Sequence, residues 1–376
     1  MIRVLDKSQC CGCEACRNIC PRQCILMKDD KEGFLYPEVN LTDCIDCGLC
    51  EKVCPVLHPA KERRPVAVYA AKHCDDNIRL VSSSGGVFTF IAEKVIDEGG
   101  VVFGARFNDQ WKVIHDYVET KDRLSCLRGS KYVQSRIGDT YKQALHFLQS
   151  GRKVLFTGTS CQIAGLKLFL RKEYDNLLTA DVICHGVPSP KVWKKFLDEI
   201  TSTNRLQVTD ISFRNKQKGW RNYFLSVKSD EKELSDIPVY SGIYSHLFLA
   251  DLMLRPSCYS CPAKSGESCS DITLGDFWGI ENILPEFDDD KGCSVALLYN
   301  PKSKYFIEGM NISDVVYNQA KQGNPSLEVS ANCPVNRNYF FRLLNSDKSL
   351  ADIHHLCFNT SLIQRVRRFI FRKYGV

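Results

Sequence analysis

The chain has 376 residues, of which 25% are charged and 44% hydrophobic, and these values are ordinary for a soluble globular protein. Its net charge of +6 is too small to indicate nucleic-acid binding, and no run approaches the roughly 18 apolar residues of a membrane span. Its twenty cysteines, with no secretion signal at the start, predict metal chemistry in the cytoplasm rather than disulfides.

Residues 1–57 contain two copies of one cysteine motif, each closed by a proline. The copies read CCGCEACRNICP and CIDCGLCEKVCP, and both contain the run C-x2-C-x2-C-x3-C-P of bacterial 4Fe-4S ferredoxins. In two-cluster ferredoxins the cysteine before the proline binds the other cluster. We therefore assign one cluster to Cys10, Cys13, Cys16 and Cys54, and the second cluster to Cys20, Cys44, Cys47 and Cys50.

Two other uses of these cysteines fit the sequence less well. A tetrahedral zinc site needs two C-x2-C pairs rather than a repeated run of four cysteines, and disulfides need an oxidising compartment. Cys11 and Cys24 lie outside the repeated spacing and are predicted to bind no metal. The segment is thus predicted to be a ferredoxin module with two 4Fe-4S clusters.

After a linker at 58–65, strand and helix patterns alternate along the chain. Periodic apolar residues predict strands over 65–72, 101–107, 153–159 and 177–184, and helices over 87–100, 138–151, 161–172 and 190–202. This alternation predicts a mixed α/β core in which helices cover a sheet. The last third adds predicted strands near 208–214, 222–228 and 294–299 and a helix over 240–254, which indicate an α+β extension on the same core.

The predicted organisation has five segments. They are the ferredoxin module (1–57), the linker (58–65), the N-terminal and C-terminal parts of the core (66–150 and 151–330), and a C-terminal extension (331–376). The extension ends in SLIQRVRRFIFRKYGV (361–376), in which apolar and basic residues would occupy opposite faces of a helix. Such a helix either lies on an anionic membrane, as a peripheral contact, or docks on the protein itself.

Four motifs lie where predicted strands end, which is where α/β sheets usually bind ligands. SSSGGVF (82–88) precedes a helix, so its N–H groups could bind an anion, although a serine cap before a glycine turn has the same pattern. LRGSKYVQS (127–135) offers one lysine, which meets either a phosphate or solvent. A cysteine follows a strand in two further motifs, FTGTSCQIAGL (156–166) and VICHGVPSPKVW (182–193). The second motif also contains a histidine, which serves either as an acid/base group or as a structural residue.

A C-x2-C pair follows in RPSCYSCPAKSGESC, with Cys269 further along. A single pair of this kind occurs in zinc, redox and cluster sites alike. Together with the two cysteines at strand ends the pair makes four thiols, which is the number that another cubane needs.

With DITLGDFWGI, these motifs resemble the coenzyme F-420 hydrogenase/dehydrogenase beta-subunit family, and more narrowly its bacterial branch with an N-terminal ferredoxin module. The resemblance extends to about residue 300. Ser160 departs from the family's usual proline, which changes a turn preference but no ligand. The resemblance implies a flavin-binding core with FAD near a 4Fe-4S cluster. For this chain, the resemblance implies that the candidate FAD contacts are Ser83, Ser84, Gly85, Gly86 and Lys131. It also implies that the candidate ligands of a third 4Fe-4S cluster are Cys161, Cys184, Cys258 and Cys261.

The resemblance therefore implies an iron–sulfur flavoprotein oxidoreductase. It would exchange electrons between a partner such as ferredoxin and a small-molecule redox substrate, either a deazaflavin such as coenzyme F-420 or another acceptor, because a flavin can link one-electron carriers to a hydride acceptor. No residue can be named as its acid or base. The alternative is a non-catalytic subunit that passes electrons between ferredoxin and a partner enzyme.

Overall fold

The computed structural model describes residues 1–202, 207–230, 233–238 and 241–358. The predicted basic helix at 361–376 lies outside these ranges. Within them, no helix is both long enough and apolar enough to cross a bilayer.

The N-terminal module is a hairpin with two short helices. β1 (Ile25–Asp29) pairs antiparallel with β2 (Leu35–Val39), while α1 (Ala15–Ile19) and α2 (Leu49–Lys52) each carry the third cysteine of one motif. Each helix follows a residue in the left-handed region, Gly48 with φ 70° and Glu14 with φ 59°. Glycine adopts this conformation without strain. Glu14 is held there by the core, because its buried carboxylate accepts the Ile137 N–H at 2.9 Å.

A central sheet of eight strands organises the rest of the chain. The remaining strands are β3 (Ala67–Lys72), β4 (Val101–Phe107), β5 (Val113–Val118), β6 (Val154–Thr159), β7 (Leu177–Val182), β8 (Val208–Asn215), β9 (Phe224–Ser229), β10 (Glu233–Pro238), β11 (Ile272–Asp276), β12 (Ser294–Leu298) and β13 (Asn311–Asp314). The central order is β13-β3-β12-β11-β7-β6-β4-β5, and β10-β9-β8 form a separate antiparallel sheet. Because β4, β6, β7 and β11 run parallel, their carboxyl ends lie at one edge.

Helices cover both faces of the central sheet. The remaining helices are α3 (Asp76–Leu80), α4 (Val87–Asp97), α5 (Thr140–Gln149), α6 (Ser160–Leu170), α7 (Pro190–Ser202), α8 (Ile243–Leu249), α9 (Ile280–Ile283), α10 (Tyr317–Gln322), α11 (Arg337–Leu344) and α12 (Leu350–Phe358). Side chains alternate along β4: Val102 packs with α4, whereas Val101 and Phe103 pack with α5 and α6. This arrangement confirms the predicted mixed α/β core.

The predicted strands and helices of the α/β core are confirmed to within a few residues, and the later strands likewise. The helix predicted over 240–254 is shorter, since it ends at Leu249 and Asp251 has φ 59°, which an α-helix does not accommodate. The boundary predicted at residue 150 falls within the central sheet, because β3–β5 and β6–β7 belong to the same sheet. Of the last segment, α11 and α12 pack against α7 and α8 in one apolar core.

Candidate iron–sulfur and cofactor sites

The four predicted ligands of a third cluster meet at the carboxyl edge of the central sheet, and we call them the third thiol set (Cys161, Cys184, Cys258 and Cys261). Cys161 lies in the first turn of α6, directly after β6, and Cys184 follows β7. Burial raises the pKa of Cys184 to about 12, and the nearby charges of Cys161 and Cys261 add to this rise. Burial and the charge of Cys184 likewise raise the pKa of Cys258. Such thiols need bound cations in order to ionise, and the iron of a bound cluster would supply them.

Hydrogen bonds orient two thiols of this set. Thr159 caps α6 in a capping box with Gln162, and its hydroxyl lies 3.2 Å from Cys161 Sγ. The Val187 N–H donates to Cys258 Sγ at 3.4 Å. Hydrogen bonds to sulfur are typical of cluster ligands, whose reduction potential they adjust. The neighbouring His185 is within hydrogen-bond distance of a carboxylate, with Nε2 2.5 Å from Asp251 Oδ1.

The first thiol set (Cys10, Cys13, Cys16 and Cys54) joins both halves of the ferredoxin module. Burial raises the pKa of Cys16, and the charges of Cys10 and Cys54 raise it further. Cys54 comes from the second motif yet lies among the cysteines of the first. This placement of Cys54 is the one that the predicted exchange of the fourth ligand requires.

The second thiol set (Cys20, Cys44, Cys47 and Cys50) lines a small pocket. The Ile2 N–H donates to Cys50 Sγ at 3.2 Å. Cys24, predicted to bind no metal, also lines this pocket, and its Sγ lies 3.4 Å from Cys20 Sγ. The pocket therefore holds one thiol more than a cubane requires.

Cys11 joins the first and third thiol sets, a role that its sequence position did not indicate. The neighbouring Cys13 thiol raises the pKa of the Cys11 thiol, and the Cys161 thiol lowers it. One turn further along α6, a Cβ at Gly165 would lie 3.0 Å from Cys13 Sγ. The ferredoxin module therefore packs directly against the third thiol set, because no larger side chain separates α6 from the first cysteine loop.

The Arg214 pocket, a cavity of about 370 Å³, lies where the two predicted FAD loops meet. Ser83, Lys131 and Arg214 contribute to its wall, together with Arg128, Lys216 and the rings of Phe107 and Phe213. The two loops are joined by the Ser130 N–H, which donates to Ser83 Oγ at 2.7 Å. Ligand pockets typically enclose about 300–1,000 Å³, so the Arg214 pocket lies within the size range of a ligand site.

The glycine-rich loop does not form the N–H cradle that the sequence predicted. The Gly85 N–H donates to Ser294 Oγ at 2.9 Å, and Ser84 Oγ donates to the Cys293 carbonyl at 2.7 Å. Gly86 has φ 85° and precedes α4, and neither Ser84 nor the two glycines line the pocket. The prediction is therefore wrong at Gly85, whose N–H binds the sheet, and of this loop's predicted contacts only Ser83 reaches the pocket.

Lys131 also has a different role from the one predicted. It lines the pocket, but its Nζ donates to the carbonyls of Cys126, Leu127 and Arg128 at 2.8 to 3.2 Å. Burial lowers the pKa of Lys131 to about 7. Because all three of its N–H groups are used, Lys131 holds the loop in place rather than offering a free donor to a phosphate.

Two basic residues of the pocket, Arg214 and Lys216, come from β8 and the turn after it and were not predicted. Arg214 is buried, pairs with Asp276 at 2.9 Å, and donates to the Ser83 carbonyl at 3.3 Å. Its Nε is buried without a hydrogen-bond partner in the described part of the chain. The only signal in the sequence was Asp276, which lies in the DITLGDFWGI motif. The unpartnered donor and the surplus of positive charge fit an anionic cofactor such as FAD.

Replacing Gly85 with alanine tests the corrected role of the loop. A Cβ at this position would lie 2.7 Å from the Ser294 N and still closer to the Ala71 carbonyl, so we expect the free energy of unfolding to fall by at least about 2 kcal/mol. Gly99→Ala is the control, because it meets no atom within 4 Å and carries only the strain of its positive φ (74°), about 1 kcal/mol. Urea unfolding measures both, and equal losses would contradict the packing of Gly85 on the sheet.

The chain matches family models along most of its length. A 4Fe-4S dicluster domain matches residues 9–57, so the N-terminal module belongs to an iron–sulfur electron-transfer protein. Two models describe the beta subunit of coenzyme F420 hydrogenase/dehydrogenase: the N-terminal model matches 68–140, and the C-terminal model matches 151–322. The chain therefore belongs to the coenzyme F420 hydrogenase/dehydrogenase beta-subunit family, whose similar members are oxidoreductases.

Curated relatives share parts of this chain. The F subunit of the F(420)H(2) dehydrogenase of Methanosarcina mazei is 21% identical over 250 residues, which cover 63% of this chain and 68% of the relative. Dihydromethanopterin reductase (acceptor) of the same organism is 30% identical over 96 residues, or 25% and 38% of the two chains. The PorD subunit of the pyruvate synthase of Methanothermobacter marburgensis is 39% identical over 59 residues, or 16% and 63%.

One solved structure with a similar chain is the F420-reducing NiFe hydrogenase complex from Methanosarcina barkeri. The two chains are 17% identical, with 70% of this chain and 90% of the other covered at a TM-score of 0.46. Likeness at that level does not establish a shared fold.

Proposed function

We propose that the chain is a flavin-dependent iron–sulfur oxidoreductase that exchanges electrons between a ferredoxin-type partner and a small-molecule substrate. Bound 4Fe-4S clusters would supply one-electron transfer, and bound FAD would supply one- or two-electron transfer. The chain's own part is to hold these groups in sequence, exclude water and fix their surroundings.

The observation that carries the proposal is the continuous series formed by the three thiol sets. Cys16 of the first set and Cys50 of the second set pack in one buried cluster. On α6, which carries Cys161 of the third set, Gly165 lies against Cys13 of the first set, where a Cβ would be 3.0 Å from Cys13 Sγ. The proposed ligands are the twelve cysteines of the three sets, four to each cubane.

The Arg214 pocket is the proposed FAD site because it opens at the same sheet edge as the third thiol set. Arg214 is paired with Asp276, the last residue of β11, and β11 neighbours β7, which leads to Cys184. The two strands remain joined beyond the ladder, since the Ile183 N–H donates to the Leu274 carbonyl at 2.8 Å. A flavin held there would be close to the third cluster, with Arg128 and Arg214 available to its phosphates.

The names of two relatives support a substrate class. One relative is named for F(420)H(2), and the other is named as a dihydromethanopterin reductase. Both names indicate reduced or reducible heterocycles, which exchange hydride with a flavin. A deazaflavin or a pterin of this kind is the substrate class that we propose for this chain.

Anaerobic reconstitution with iron, sulfide and FAD tests the function directly. The expected product contains about twelve irons per chain and one FAD, and reduced ferredoxin should reduce that FAD without any other protein. Turnover of a deazaflavin or pterin acceptor by the same preparation would identify an enzyme. Flavin reduction without turnover of any such acceptor would instead favour the alternative, an electron-transfer subunit. About eight irons and no bound flavin would contradict the proposal.

A further inference from the structure

Arg255 lies at the contact between the first and third thiol sets. It is fully buried, with 0% of its surface exposed. Its Nε donates to the Cys10 carbonyl at 2.6 Å, and its Nη1 donates to Gln134 Oε1 at 3.0 Å. Its Nη2 donates to the Leu35 carbonyl at 2.9 Å and reaches Cys10 Sγ at 3.5 Å. The guanidinium is thus surrounded by the first cysteine loop and the hairpin of the ferredoxin module.

Arg255 differs from the other buried arginines of the described residues in having no carboxylate partner. Arg79 pairs with Asp289, Arg214 with Asp276 and Arg337 with Glu32, at 2.5 to 2.9 Å. The group beside its guanidinium is instead the Cys10 thiol, with Sγ 3.5 Å from Nη2. The Tyr36 ring also lies 4.3 Å from the guanidinium carbon.

A buried guanidinium needs negative charge beside it, because an unpaired buried charge costs several kcal/mol. Neutral carbonyls, an amide and a ring satisfy its donors but supply no net charge. Four thiolates around a cubane do carry net negative charge, and this charge increases when the cluster is reduced. The first thiol set is therefore the counter-charge that the surroundings of Arg255 provide.

The same residue also fixes the third thiol set through its backbone. The Arg255 N–H donates to the Val187 carbonyl at 3.0 Å, and its carbonyl accepts the Cys258 N–H at 2.9 Å. The short helix Pro256–Ser260, which carries Cys258, begins directly after it. Gly12, in the first cysteine loop, allows the Arg255 guanidinium to lie against that loop, since a Cβ at Gly12 would lie 2.7 Å from Arg255 Nη1.

We infer that Arg255 is a positioning residue that serves as the buried counter-ion of the cluster on the first thiol set and fixes its spacing to the third thiol set. The inference rests on the proposed cluster ligands. A fixed positive charge stabilises the reduced, more negative form of a cluster, so Arg255 raises the reduction potential of that cluster. The effect is largest at that cluster, because Arg255 Nη2 reaches Cys10 Sγ at 3.5 Å, whereas its contacts with the third thiol set run through its backbone.

The test compares reconstituted wild type with Arg255→Gln, Arg255→Lys and Arg337→Gln. The measurements are iron content and redox titrations followed by electron paramagnetic resonance. Arg255→Gln should shift one cluster to a lower midpoint potential, and Arg255→Lys, which restores the charge, should recover most of that shift. Arg337 is the matched control, because it is also buried and joins the ferredoxin module to the core through Glu32 and the Leu254 carbonyl. Its variant should lose stability while every cluster potential stays unchanged.

Full iron content with unchanged potentials in Arg255→Gln would overturn the inference. If that variant loses iron, Arg255→Lys decides: the inference requires the lysine to recover the iron, and equal loss in both variants would overturn it. Wild-type iron content separates this result from the proposed function. Wild type with about eight irons would remove the third cluster, while the potential shift at the ferredoxin cluster would remain measurable.

Discussion

Changing Cys258 to alanine is expected to lower the iron content of the reconstituted protein by up to about four atoms per chain, with sulfide falling in parallel. Cys258 is buried among the third thiol set, with the charges of Cys184, Cys161 and Cys261 acting on it. A cubane with three protein ligands is exposed and labile, so the loss should be large. The ferredoxin clusters should stay reducible, while reduction of bound flavin by external ferredoxin should slow.

Cys269→Ala is the matched control for this experiment. Cys269 is also buried, and burial together with the charge of Asp181 raises its pKa to about 12. Its side chain packs in the apolar core against α5 and α6, and no thiol is among the main charges that act on it. Its variant should keep full iron content. Unchanged iron in Cys258→Ala, or iron loss in the control alone, would remove the assignment of the third set.

Reversing the charge of Arg128 with the substitution Arg128→Glu is expected to weaken FAD binding by about tenfold to a hundredfold. Arg128 is half-buried in the wall of the Arg214 pocket, where its Nε donates to Thr89 Oγ1 at 3.0 Å. Hydrogen bonds to charged groups contribute about 1.5–3 kcal/mol, and about 1.4 kcal/mol corresponds to a factor of ten in affinity. Arg128→Glu removes such a bond to a phosphate and adds repulsion.

Arg123→Glu controls for the change in net charge. Arg123 lies just before Arg128 in the chain, in the short helix Lys121–Cys126, and is exposed and outside the pocket. Equilibrium dialysis of FAD against deflavinated protein measures both affinities, and iron content confirms that the clusters are intact. Similar affinity in the two variants would exclude the Arg214 pocket as the FAD phosphate site.

Local patterns in the sequence determined the elements of this protein and most of the cluster chemistry. The C-x2-C-x2-C-x3-C-P runs place three thiols within one short loop, so their convergence depends on nearby residues alone. Helices and strands of the core followed from periodic apolar residues, as in α4, which spans Val87–Asp97 within the predicted range 87–100. Predicting that the third thiol set converges required a rule about tertiary structure in addition to local patterns, namely that the ends of neighbouring strands share one edge of the sheet.

Contacts between distant parts of the chain decided the role of the glycine-rich loop, the lining of the Arg214 pocket and the surroundings of Arg255. Whether the Gly85 N–H faces a ligand or the sheet depends on Ser294, which is 209 residues away. Two basic residues of the Arg214 pocket, Arg214 and Lys216, come from β8 and the turn after it, outside the central sheet, where no sequence motif marked them. Arg255 and Cys10 are 245 residues apart. A local sequence pattern cannot predict such a pairing, because tertiary packing determines which group lies beside a buried charge. The spacing of the cysteines, in contrast, is read directly from the sequence.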